Sequence, residues 1–239
     1  DADRNRVLGW RPRPTTNGAP ANIVLGQSSF VAAAPGVAPD KLSQPSAIWT
    51  DGVRLVVGDR GNHRVLVWNT IPVSNGQPAD VVIGQANFNS SAPPAAPSAT
   101  RLRSPSGITS DGNWLAVADE GHRRILIWRA FPTISGVAAD IVIGQDSFDL
   151  AVDGSASAQR LDGVKGLATV DGALFVADRG HERVLVFDPI PTTSVGARSR
   201  CWWVTCRAAS WPRARAGPSC RPPRSLGAAT SRPGAGRTS

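Results

Sequence analysis

Hydrophobic positions in this chain fall in short β-length runs that return at a fixed distance. Midway along, four such runs follow one another: Gly107 to Ser110, Trp114 to Ala118, Arg124 to Trp128, and Asp140 to Gly144. Turn residues divide them. Asp111-Gly112 lies between the first two, a tight hairpin signal because glycine accepts a positive φ. The third run, Arg-Ile-Leu-Ile-Trp, is apolar at consecutive positions and therefore on both strand faces. A strand takes that pattern when both faces are covered. The predicted unit is a four-stranded antiparallel sheet packed between two neighbours.

The same unit is written more than once. Gly58-Asp59-Arg60-Gly61-Asn62-His63-Arg64-Val65-Leu66-Val67-Trp68 returns as Ala118-Asp119-Glu120-Gly121-His122-Arg123-Arg124-Ile125-Leu126-Ile127-Trp128. It returns again as Ala177-Asp178-Arg179-Gly180-His181-Glu182-Arg183-Val184-Leu185-Val186-Phe187, and the chain opens in register with Asp1, Arg6, Val7, Leu8 and Trp10. Arg6, Arg64, Arg124 and Arg183 stand 58, 60 and 59 residues apart. A second block, Ala-Asn/Asp-Ile/Val-Val-Leu/Ile-Gly-Gln, ends at Gln27, Gln85 and Gln145, with Phe30, Phe88 and Phe148 three residues on. A third block opens the next unit at Leu42, Leu102 and Leu161 and runs to an Asp-Gly pair. A period of this length marks stacked repeats that bury a continuous core only against each other.

These residues resemble the NHL repeat, with its Asp, its Gly/Asn/His turn and its Arg-Val-Leu-Val-aromatic strand, in the long-period bacterial form that adds Ala-Asp-Ile-Val-Ile-Gly-Gln. The resemblance covers about Asp1 to Gly196. It implies an all-β fold, a β-propeller of four-stranded antiparallel blades. The propeller expected here is partial, with about three to four blades represented. It also implies scaffold duty, binding a protein or a small ligand on one propeller face. Enzymatic relatives, an amidating lyase and lactonase-type propellers, hold metal with non-repeating side chains at the central channel. Such ligands would have to lie on blades this chain lacks, because it has no Tyr and its His residues fall only in repeated turns. No cofactor is expected. Some animal NHL propellers bind RNA through a basic face.

Charge placement speaks against that last reading. The formal charge of +8 looks suited to nucleic acid. Nine of the 26 basic residues, however, lie after Ala197, where no acidic residue occurs, which leaves 17 against all 18 acidic residues before it, a net of −1. No nucleic-acid partner is therefore expected for residues 1–196. The segment 197–239 is Arg-, Pro-, Ala- and Gly-rich and holds all three cysteines, Cys201, Cys206 and Cys220. It is expected to be either a disordered basic tail or out-of-frame translation. The second fits better: bases encoding Cys201-Trp202-Trp203-Val204, read from the third position, give Leu-Val-Gly where the repeat is due an apolar pair and Gly. The frame slip would fall between about Thr193 and Arg200. No run approaches the ~18 apolar residues of a membrane span. With no Met in the sequence, Asp1 reads as internal to a longer product or as a processed end, and export stays open.

Candidate site residues follow from the repeat. Asp59/Arg64, Asp119/Arg124 and Asp178/Arg183 recur in every unit, which points to architecture: a carboxylate holding turn amides and an Arg on the next strand. Gln27, Gln85 and Gln145 are the candidate binding residues, a ring of amides around one face, with satisfaction of loop backbone as the alternative. His63, His122 and His181 share one turn, and solvated turn positions are expected for them instead of a metal centre. Trp68 and Trp128, with Trp10 and Phe187, are expected in the core, whereas Trp49 and Trp114 stand outside the repeated position. No catalytic motif is present, so no catalytic residue and no metal ligand is assigned.

Overall fold

Each predicted run becomes a strand, and each unit becomes one up-and-down sheet. In the computed structural model, which describes residues 1–194, a pair of three-residue strands comes first, β1 (Val7–Gly9) and β2 (Ile23–Leu25). The first blade follows, with β3 (Pro45–Thr50), β4 (Leu55–Asp59), β5 (Arg64–Trp68) and β6 (Val81–Ile83) hydrogen-bonded in that order. The second blade repeats it with β7 (Pro105–Ser110), β8 (Leu115–Asp119), β9 (Arg124–Trp128) and β10 (Ile141–Ile143). In the third blade, β11 (Val164–Val170), β12 (Ala173–Asp178) and β13 (Arg183–Phe187) pair in the same antiparallel sense. The chain is all-β, a partial propeller of antiparallel blades. The tail expected over 197–239, with its three cysteines, lies outside the described residues.

The register repeats as faithfully as the sequence. Asp59↔Arg64, Asp119↔Arg124 and Asp178↔Arg183 are cross-strand partners at the turn end of the second hairpin in each blade. All five residues of β5 and all five of β9 are buried, which is what consecutive apolar positions require. Among the described residues the core is three separate apolar layers, one between each pair of successive sheets. Val7 and Leu25 meet Leu55, Val57, Leu66 and Trp68 in the first layer. Val56, Val65 and Val67 meet Leu115, Val117 and Trp128 in the second, and Ala116, Ile125 and Ile127 meet Leu174, Val176 and Phe187 in the third. Alternate residues of one strand thus serve different layers, so every blade depends on both its neighbours.

The leading strands β3, β7 and β11 lie side by side, β7 packed against both of the others. Ser46 Oγ donates across to the Pro105 carbonyl at 2.7 Å, and Ser106 Oγ to that of Val164 at 2.5 Å. The Asp-Gly pairs differ from expectation in one respect. Only Asp171-Gly172 forms a two-residue hairpin, with φ of 49° and 78°. In the first two blades the strands pair from Thr50↔Leu55 and Ser110↔Leu115, leaving four-residue loops. There Asp51 Oδ1 accepts the Val53 and Arg54 N–H groups at 2.9 and 2.7 Å, and Asp111 Oδ1 does the same for Asn113 and Trp114. Burial alone would raise the Asp51 carboxyl, but these N–H groups and the Arg54 guanidinium outweigh it and hold it at about 2.

Candidate binding face

The repeated polar residues gather at the end of each blade where β4, β8 and β12 turn into the next strand through one 3-10 turn: Arg60–Asn62, Glu120–His122 and Arg179–His181. The turn glycine is needed for close approach. Gly121 N donates 2.8 Å to the Arg103 carbonyl, and a Cβ on Gly121 would stand 2.7 Å from that same oxygen. The residue ending each turn, Asn5, His63, Arg123 or Glu182, takes a left-handed φ between 51° and 55°, its N–H bonded three residues back.

Each repeated aspartate is fully buried and serves two segments at once. Asp59 Oδ2 accepts Arg64 Nε at 2.7 Å and Asn62 Nδ2 at 2.8 Å, while Oδ1 accepts the Ser43 N–H at 2.6 Å. Asp119 repeats this with Arg124 (2.8 Å), His122 Nδ1 (2.8 Å) and the Arg103 N–H (2.6 Å). Asp178 does so with Arg183 (2.7 Å), His181 Nδ1 (2.9 Å) and the Asp162 N–H (2.7 Å). The arginines then pull in the loop between blades. Arg64 Nη2 donates to the Ala38 and Lys41 carbonyls at 2.9 and 3.0 Å, and Nη1 to that of Phe88. Arg124 holds Ser98, Arg101 and Phe148 in the same way, and Arg183 holds Ser157 and Arg160. Burial pushes the Asp59 carboxyl above its ordinary range, against the opposing pull of Arg64, Asn62 and the Ser43 N–H.

The glutamines belong to the same network. Gln27, Gln85 and Gln145 are only 2–3% exposed. Gln27 Nε2 donates to the Asn5 and Ala34 carbonyls, both at 2.9 Å. Gln85 Nε2 reaches the Ala92 carbonyl at 3.0 Å and Gln145 Nε2 that of Val152 at 3.1 Å. The amides thus lie inside the loops of their own blades.

The histidines correct the expectation of solvated positions. His122 is 2% exposed, because its ring takes the place that Asn62 takes in the first blade, a side-chain N–H donor to the buried aspartate. His63 sits one residue later, outside that role: its Nδ1 accepts the Ser104 N–H at 3.0 Å across the blade boundary. Burial first, and then the Arg103 guanidinium, lower its pKa from the ordinary 6.5. The one-residue offset of His63 in the sequence was the signal separating the two roles. Among the described residues, no group of three or more His, Cys, Asp and Glu is placed to hold a metal ion.

What differs from blade to blade on this end is a set of charges that the repeat does not fix. Arg60, Glu120 and Arg179 occupy one equivalent turn position, and Lys165 stands where the first two blades have Ser46 and Ser106. Glu120 Oε1 meets Lys165 Nζ of the third blade at 2.5 Å, and Oε2 lies 3.7 Å from Arg60 Nη2 of the first. Among the described residues that Oε2 is buried and accepts no hydrogen bond. Arg60 and Lys165 side chains are 39% and 38% exposed, so this ion-paired rim of three blades presents two cations to solvent. On the opposite end, Arg54 lies 3.8 Å from the centre of the Phe131 ring and 6.0 Å from Trp49, and its Nη2 donates to the Gly112 carbonyl at 2.7 Å. That cluster joins the first blade to the second.

No family model matches the chain, and no curated protein does. Among solved structures it is similar to the computationally designed Ika8 protein, with a TM-score of 0.38, 13% identity, and coverage of 63% of this chain and 35% of that one. It is also similar to glutaminyl cyclase of Myxococcus xanthus, with a TM-score of 0.39, 16% identity, and coverage of 64% and 51%. The chain therefore spans from a third to about half of the length of these proteins. No helix among the described residues is long and apolar enough to cross a membrane.

Proposed function

We propose that this chain is part of an NHL-type propeller acting as a non-catalytic scaffold, which holds a protein or small-molecule ligand on the face carrying the 3-10 turns. One observation carries the reading. The Asp–Arg pairs of the three blades and the three glutamines on that face are buried and bonded to blade and loop groups, which supports an architectural role for the recurrent chemistry. The side chains left to meet a partner are the non-repeating ones, Arg60, Glu120, Arg179 and Lys165, set on a rigid frame. The NHL assignment rests on the Asp and Arg-Val-Leu-Val-aromatic motifs, which occupy equivalent places in each blade.

The test is ligand screening of the full chain by calorimetry against the double variant Arg60→Ala, Lys165→Ala. A ligand of this face loses at least about tenfold in affinity, roughly 1.4 kcal/mol, while the urea midpoint stays within error. A ligand indifferent to both substitutions places binding elsewhere. Turnover of a peptide or lactone by the metal-loaded chain would replace the scaffold reading with the enzymatic one. Salt-dependent RNA retention surviving removal of 197–239 would replace it with the nucleic-acid one.

A further inference from the structure

Two successive boundaries between sheets are fastened in the same way, by a loop that grips the middle residue of a short outer strand. At the first, Val24 N on β2 donates to Asn75 Oδ1 at 3.0 Å, and Gly76 N donates to the Val24 carbonyl at 2.8 Å. At the second, Val82 N on β6 donates to Ser135 Oγ at 3.1 Å, and Gly136 N to the Val82 carbonyl at 3.0 Å. Each loop presents an acceptor side chain and then a glycine at positive φ, 62° for Gly76 and 73° for Gly136. Serine and asparagine therefore do the same mechanical work.

Their chemistry differs. In an Asn-Gly pair the backbone nitrogen after the asparagine is little hindered, because glycine has no Cβ, and it can attack the side-chain amide carbon. A bond forms between Gly76 N and Asn75 Cγ, the Cγ–Nδ2 bond breaks, and Nδ2 leaves as ammonia with the proton from Gly76 N. Water then opens the cyclic imide at either carbonyl, giving aspartate or isoaspartate. Asn75 is exposed and Gly76 half-buried, so water reaches the pair. While β2 is docked, however, both reacting groups are engaged. The Gly76 N–H is held by the Val24 carbonyl, and the Asn75 amide is held by the Val24 N–H.

We propose that Asn75 is a modification site gated by β2: it deamidates when β2 lifts from the loop, and the isoaspartate product leaves that boundary unfastened. Aspartate keeps an oxygen that accepts the Val24 N–H. Isoaspartate routes the main chain through the side-chain carbon and adds a methylene between residue 75 and Gly76. The acceptor and the Gly76 N–H then no longer span the two Val24 peptide groups together. Loss of ammonia to solvent makes the step one-way, so each opening that reacts is recorded. Leu25 of β2 belongs to the first apolar layer with Leu55, Val57 and Leu66, and that layer is what loosening of β2 uncovers. Ser135 cannot react in this way, which confines the effect to the first boundary.

The full chain is incubated in mildly alkaline buffer, folded or in concentrated urea, and conversion at Asn75 is followed by mass spectrometry of its peptides. Two bonds must break before the folded pair reacts, so conversion should be at least about tenfold slower folded than in urea. Leu25→Ala removes buried bulk that holds β2, and Ile143→Ala does the same at the equivalent position of β10. The first should speed conversion in the folded chain at least about tenfold; the second should leave it at the parent rate. After ageing, the isoaspartate fraction should lose at least about tenfold in hydrogen-exchange protection at the Val24 N–H, while an Asn75→Ser chain keeps its protection. Equal rates folded and unfolded overturn the proposal, as does equal acceleration by both alanine variants, which would place the gate in global unfolding. Isoaspartate at position 75 with the Val24 N–H still protected overturns it as well.

Discussion

The second and third blades share a strand order and an Asp–Arg pair, yet they are buried very differently. In the second, flanked on both sides, β7, β8 and β9 have no residue left partly exposed. In the third, flanked among the described residues by the second alone, β11 and β12 mix buried with partly exposed and exposed positions. The first blade, which has only the short β1–β2 sheet before it, alternates partly exposed and exposed positions on β3. The local sequence of a blade therefore decides that it becomes a sheet, and its neighbours decide how much of that sheet leaves water. Stability in such a stack is a sum over interfaces, unevenly shared.

The sharpest way to break this comparison is to remove the buried guanidinium from a flanked and from an unflanked copy. Arg124→Ala leaves the Asp119 carboxylate buried without its ion pair and frees the Ser98, Arg101 and Phe148 carbonyls. We expect a loss of about 3–5 kcal/mol, read from urea midpoints at constant slope. Arg6→Ala removes the equivalent group from the opening unit, where the partner Asp1 side chain is 31% exposed. Water can solvate that carboxylate, and the expected loss is about 1 kcal/mol or less. Equal losses at the two sites would show that flanking does not govern the pair.

Next in size are the apolar equivalents on the leading strands. Ile108 on β7 is 6% exposed and Ile48 on β3 is 55% exposed. Ile108→Ala should cost about 2–4 kcal/mol by lost burial and the cavity left behind. Ile48→Ala should cost under about 0.5 kcal/mol. Near-equal costs at the two positions would show that exposure of the leading strand does not set its contribution. Smaller again is the clasp between the first and second blades. Arg54→Ala removes the guanidinium from the Phe131 and Trp49 rings and its bond to the Gly112 carbonyl. Its expected cost is about 1–2 kcal/mol. The third blade has Ala173 at this position, so no such clasp exists there to lose.

How much of this was legible beforehand depends on the distance over which a residue acts. Strand identity is local, and the run Arg124 to Trp128 became β9 without a shift in either boundary. The Asp–Arg pairing is local too, five residues apart across one turn. What the aspartates and arginines hold besides each other was hidden. Asp119 reaches the Arg103 N–H sixteen residues back, and Arg124 reaches the Phe148 carbonyl 24 residues on. Those partners are backbone groups, which no side-chain pattern advertises. His122 was misplaced on the surface for a related reason: burial of a turn residue is set by the loop that closes over it. Its alignment with Asn62, another side-chain N–H donor, was the available clue. The Glu120 contacts with Arg60 and Lys165 span three blades, and only the stacking itself brings them together.

The smallest expected effect tests a boundary between blades by pH. His63 Nδ1 accepts the Ser104 N–H, so the folded protein needs the neutral ring, and burial with the nearby Arg103 lowers the folded pKa below 6.5. The unfolded chain therefore takes up the proton first as pH falls. The stabilisation is fully present above about pH 6.5, declines as pH drops from there to the folded pKa, and is flat below it. It should amount to less than about 1 kcal/mol. His63→Gln keeps an acceptor for the Ser104 N–H and removes the titration, so its stability should show a shallower slope between pH 7 and pH 5 than the parent chain. His122→Asn supplies the control on the flanked side, because an amide keeps the donor to Asp119 that Asn62 shows to be sufficient in the first blade. If His63→Gln retains the full acid slope, the Ser104 contact is not what holds that boundary.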